Sequence, residues 1–155
     1  MGRKYRAVAA NTAQTAQVDI FELNVASTKA VRLLEIHLSQ LTEIQDAQEE
    51  MLLIQVKEGT TVSGSGDATP TAVPAAKGDA AYAGTVEAHN TTKANTGTIV
   101  THMQVNWNIR VPLDIIFTPE TVIELPPSSR LTVELATTPA DSITFGGYIV
   151  FEEIG

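Results

Sequence analysis

Residues 101–111 read THMQVNWNIRV. Met103, Val105, Trp107, Ile109 and Val111 alternate there with His102, Gln104, Asn106, Asn108 and Arg110. A period of two gathers the apolar side chains on one face and the polar ones on the other, as a half-buried antiparallel strand requires. Trp107 stands at the centre of the apolar face. That is a core position rather than a sugar platform, in a chain only 5% aromatic.

The same alternation spreads outward from this strand. Leu52, Ile54 and Val56 bracket Gln55 and Lys57, while Leu131, Val133 and Leu135 bracket Thr132 and Glu134. Candidate strands cover 18–25, 30–38, 51–58, 84–89, 99–111, 113–118, 122–125, 131–136 and 143–154. Turn formers stand between them, among them Pro112, Pro119, the Pro126-Pro127-Ser128-Ser129 run and Pro139. Eight or nine short strands in one small chain predict an all-β fold: a single-domain antiparallel β-sandwich, jelly-roll-like. Residues 27–56 resist this reading, because they are rich in helix formers, with Ser27 as a cap and Leu34, Leu38 and Leu41 along one helical face. Leu34, Ile36 and Leu38 also alternate, and a helix would leave the sandwich two strands short. The segment therefore reads as strand, acidic turn with room for one helical turn over 41–46, and strand.

At 155 residues the chain is long enough to bury one core without staples. Its net charge of −8 and pI near 4.7 argue against nucleic acid, whose phosphates require a basic face. Cysteine is absent, which excludes disulfides, thiolate metal sites and thiol nucleophiles. No apolar run approaches the ~18 residues of a membrane span, and no signal-peptide core follows the basic start MGRKYR. A myristoylation reading of Gly2 fails at Arg6, where Ser or Thr is required. The sequon at Asn90 reads as chance in a chain without an export signal.

Residues 60–84, TTVSGSGDATPTAVPAAKGDAAYAG, interrupt the strands. As a phosphate loop the stretch fails, since Asp67 stands where a lysine belongs. As a linker it would divide what look like two halves of one sandwich. Loops beyond about 12–15 residues are otherwise functional or disordered. The remaining reading is a long Gly/Ser/Pro-rich loop over 59–84 that serves as an intersubunit arm, with Gly64 and Gly66 allowing close backbone approach and Pro70 and Pro74 stiffening it. Residues 1–16 read as a basic N-terminal arm in which Arg3, Lys4 and Arg6 meet an acidic partner surface, and 17–155 as the sandwich domain.

Catalytic and cofactor constellations do not emerge. His37, His89 and His102 lack metal-ligand spacing, so no metal and no cofactor is expected. Glu49-Glu50 and Glu152-Glu153 would point to opposite faces of a strand, which separates the carboxylates of each pair. The GxSxG elbow is missing. A small jelly-roll enzyme ranks last among the functional classes.

RLLEIHLSQ at 32–40, TTVSGSGDATPTAVP at 60–74, EAHNTTKANTGT at 87–98 and ADSITFGGYIVFEEIG at 140–155 together resemble a family of small virion structural proteins of tailed bacteriophages and prophages. The resemblance spans nearly the whole chain. It implies a β-sandwich similar to head decoration proteins: a capsid decoration or cement protein on the outer head surface, made in the host cytoplasm, binding the major capsid protein and reinforcing contacts between capsid subunits. It also implies a homo-oligomer, most simply a trimer at local three-fold positions, with no chemistry and neither nucleic acid nor membrane as partner. The alternative reading is a virion or tail module that binds a host-surface glycan or receptor.

Overall fold

The computed structural model describes residues 2–41, 50–66 and 68–155. In chain order the strands are β1 (Arg3–Gln14), β2 (Val18–Asn24), β3 (Ala30–Gln40), β4 (Met51–Val62), β5 (Val73–Pro74), β6 (Thr85–Asn90), β7 (Asn95–Asn108), β8 (Leu113–Ile116), β9 (Ile123–Leu125), β10 (Arg130–Leu135) and β11 (Ile143–Ile154). Nine of them occupy the nine segments marked by alternation, with shifted ends. The helical turn expected over 41–46 lies, from residue 42 on, outside the described residues.

Every pairing is antiparallel, and the strands form two sheets. One runs β5-β1-β11-β3-β8, with β9 also on β3; the other runs β6-β2-β10-β4-β7. Setting aside β5 and β6 leaves β1-β11-β3-β8/β9 facing β2-β10-β4-β7. That is the order of a jelly roll, in which successive strands change sheet and only β4 and β7 stay together as a hairpin. The added strands β5 and β6 sit on one flank, at the edges beside β1 and β2.

Two expectations are corrected. Most of the stretch expected to be a free arm is paired: Arg3–Gln14 is a strand hydrogen-bonded to β11 along most of its length, so β1 is part of the sandwich. Tyr5, Ala7 and Ala9 supply the apolar alternation, which the surrounding arginines and small side chains mute in the sequence. The second correction concerns Leu34. A register shift at Val150/Phe151 breaks the phase of β3, so Leu33, Ile36 and Leu38 turn inward and Leu34 turns out.

The core lies between the sheets. Tyr5, Leu33, Ile36, Phe145, Ile149 and Phe151 from one layer meet Ile20, Leu23, Ile54, Val56, Leu131 and Val133 from the other, all fully buried. Trp107 is 2% exposed, lies edge-on to Phe145 with centroids 5.9 Å apart, and donates its Nε1–H to the Val111 carbonyl at 2.7 Å. That bond satisfies the indole's one polar group inside the core. Trp107→Ala is expected to cost about 3 to 5 kcal/mol, through lost burial and the cavity left behind. Urea denaturation checks this, and an unchanged midpoint would remove Trp107 from the core.

Candidate functional site

The outer face of the β1 sheet is built by the same alternation that builds the core. With Tyr5, Ala7 and Ala9 buried, Lys4, Arg6 and Val8 stand on the opposite side, exposed. Arg3 and Lys4 are in register with Glu153 and Glu152 of β11, which offsets part of the basic cluster. Arg6 instead places its guanidinium carbon 5.1 Å from the centre of the Tyr148 ring. Tyr148 in turn stacks on His37 at 4.3 Å. The imidazole nitrogens of His37 meet Asp114 at 2.6 Å and Glu35 at 2.9 Å. A row of stacked and paired side chains thus crosses four strands from β1 to β8.

Beside Arg6 the sheet is extended by the excursion between β4 and β6. Tyr5 and Arg6 are in register with Pro74 and Val73, and the Ala75 N–H donates to the Lys4 carbonyl at 2.8 Å. Arg6, Val8, Val73, Pro74, Ala75 and Val150 line a groove of about 400 Å³ with Tyr5 at its base. Val8 and Val73 are both more than half exposed. Two residues chosen from the sequence for separate reasons, Arg6 and Pro74, therefore share one recess; Val8 and Val150 were missed, their only signal being the alternation of β1 and β11.

Gly64, Gly66 and Pro70 lie elsewhere. A Cβ on Gly64 would come within 2.5 Å of the Thr92 carbonyl oxygen, and one on Gly66 within 2.6 Å of the Thr91 nitrogen. The close approach these glycines permit is thus to residues 89–94 of their own chain. Pro70 borders a smaller hollow beside Tyr82. The loop over 59–84, expected to reach a neighbouring subunit, is fastened to its own domain. Tyr82 packs on Tyr5 and Phe151 and donates to the Asn24 carbonyl at 2.8 Å, Tyr5 donates to the Ala80 carbonyl at 2.9 Å, and the Ala83 N–H donates to Glu153 at 2.9 Å. Tyr82 is the residue that draws the loop inward, because its ring finds an aromatic cluster at the sandwich flank.

The outer face of the other sheet carries a buried polar layer that the sequence does not announce. Glu22 is fully buried; its carboxylate accepts from Ser63 Oγ at 2.5 Å, the Gly64 N–H at 2.8 Å and Asn90 Nδ2 at 3.1 Å, and it forms an ion pair with Arg130, whose Nε lies 2.8 Å away and donates to Asn24 Oδ1. Glu134 meets Lys57 at 2.5 Å and Lys93 at 2.6 Å. Burial pulls its pKa up, but the hydrogen bonds from the two ammonium groups more than offset this and hold it below the ordinary value. Asp19 accepts the Ala94 N–H at 2.6 Å; burial, only partly countered by that bond, pushes its carboxyl up to about 7. Among the described residues no cluster of His, Asp and Glu is arranged to hold a metal ion.

Comparison with known proteins gives no match, whether to family models, to curated proteins or to solved structures.

The raised pKa of Asp19 sets a pH dependence. Between the ordinary value of 3.8 and about 7 the folded state keeps a proton that the unfolded chain releases, so this group's contribution to stability falls as pH rises through that window. Asp19→Asn keeps an acceptor for Ala94 and removes the titration. Denaturant unfolding at a series of pH values should show the variant gaining on the parent from pH 4 to pH 7. Parallel curves would mean that Asp19 ionises as readily folded as unfolded.

Proposed function

We propose that this chain is a capsid decoration or cement protein of a tailed bacteriophage or prophage, a homo-oligomer that binds the major capsid protein on the outer head surface without catalysing a reaction. The observation that carries the reading is the groove around Arg6. It joins an exposed cation to the apolar side chains of Val8, Val73 and Val150 on a sheet fixed from both sides. Such a recess fits an apolar side chain flanked by a carboxylate on a partner, and a rigid sheet binds it with little entropy of ordering. The sequence motifs at 32–40, 60–74, 87–98 and 140–155 support the virion assignment. The distribution of aromatic residues weighs against the glycan-binding alternative: of the eight in the chain (one Trp, three Tyr, four Phe), none is exposed, and Trp107 is buried.

Attachment through Arg6 is electrostatic in part, so it weakens as salt rises. Mass spectrometry of purified particles should find the chain in stoichiometric ratio to the major capsid protein. Arg6→Glu, at an exposed position, should reduce occupancy on isolated heads at low salt while lowering the melting temperature only slightly, through the lost contact with Tyr148. Recovery of the chain in only a few copies per particle would move it to the tail, and full occupancy by the variant would remove the groove from the contact.

A further inference from the structure

The sandwich has four sheet edges, and three are guarded. On the β1 side, β5 pairs with Tyr5 and Arg6; beyond it β1 bulges between Ala9 and Thr12, and His89 Nε2 meets the Ala10 carbonyl at 2.8 Å. At β6 the segment before β5 covers the edge, with Ala68 and Ala88 exchanging backbone hydrogen bonds at 3.3 and 2.9 Å. The β8 edge is four residues long and carries Asp114. Short strands, covering loops and charges are the usual protections against edge-to-edge pairing. The fourth edge, β7, is different. It runs for 14 residues, ends the sheet order, and among the described residues nothing pairs with its outer side.

Its sequence is equally unguarded. Residues 94–109 contain no Asp, Glu, Lys or Arg, in a chain that has 18 acidic and 10 basic residues. His102, the one titratable side chain of the strand, is bonded to Glu58 of its own sheet at 2.8 Å. Ile99 and Val100 are 46% and 51% exposed, and Thr98, Thr101, Gln104 and Asn106 are exposed as well. No proline interrupts the strand.

We infer that β7 is a self-association edge, on which a second copy of this chain adds its own β7 antiparallel across a two-fold axis. The five strands from each copy then form one continuous sheet of ten. Two observations select a second copy as the occupant. Copies that each carry −8 repel one another, and β7 is the long strand along which they meet with no like charges opposed. A two-fold contact also sets each residue against the same set of residues, so its side chains must complement themselves. Asn106 does so, since an amide both donates and accepts, and Gln104 keeps its amide N–H groups while its oxygen accepts from Gln55 at 3.2 Å, whereas a carboxylate or an ammonium would face its own kind. The unmade backbone bonds of β7 supply the affinity. This pairing stands whether or not the chain decorates a capsid.

Light scattering during size-exclusion chromatography tests it. The parent is expected to run at twice its 16.6 kDa. Val100→Lys and Asn106→Lys, both at exposed positions, should each raise the dissociation constant of the pair by about tenfold or more, because an unpaired lysine on an edge strand opposes edge-to-edge pairing. Neither should shift the thermal midpoint of the monomer. Ile116→Lys, at an exposed position of the guarded β8 edge, should leave the pair intact. A monomeric or trimeric mass for the parent, or a dimer that both β7 variants preserve, overturns the inference.

Discussion

Both sheets depend on strands that arrive last. β11 lies between β1 and β3, paired with each along most of its length, and β10 lies likewise between β2 and β4. Until the C-terminal segment is in place, β1 and β3 have no shared ladder, nor have β2 and β4. The chain must close long loops before either layer gains its central strand, an order of events that makes such topologies slow to fold. Each layer then buries its inner face only against the other, so the two insertions are mutually dependent. The core of Phe145, Ile149 and Phe151 against Ile54, Leu131 and Val133 is the result.

A second dependence is polar. Glu22 occupies an outward position on β2, where a sandwich usually meets water, but residues 63–66 and 90–94 roof it over. Its partners come from three separate parts of the chain, so one carboxylate ties Ser63 and Gly64 at the start of the long excursion to Asn90 of β6 and to Arg130 of β10. Removing a donor would strand a buried charge, which costs far more than the pair contributes when intact. Asp19, with fewer donors, answers the same desolvation by holding its proton more tightly.

Much of the fold was legible because alternation survives wherever one face is dry and the other wet. Nine strands and the buried place of Trp107 follow from it. β1 escaped because alanines at positions 7 and 9 fill the narrow space beneath the flank and barely register as apolar among arginines. β5 escaped because two residues have no period at all; only the contact with β1 makes Val73 and Pro74 a strand. β7 begins at Asn95, ahead of its apolar run, as the ladder continues past a shift beside Gly59 and Gly97. At the candidate site, the arginine cluster and the prolines were visible as residue types, but their meeting in one groove is a product of topology. The acids of β2 look like any solvent face, and no local pattern reveals that a loop will cover them.

The excursion between β4 and β6 laces one margin of the sandwich. It hands β5 to one layer and β6 to the other, and Tyr82 reaches from the aromatic cluster of the first to the Asn24 carbonyl of the second. The domain is thus built like a bound book, stitched at the spine and open along the fore-edge where β7 and β8 end their sheets. A parting of the two leaves would pivot about the stitched side and be widest at the other. Amide protons along β7 and β8 would therefore exchange with solvent long before those of β1 and β2, and anything that clasps the fore-edge would still the whole volume.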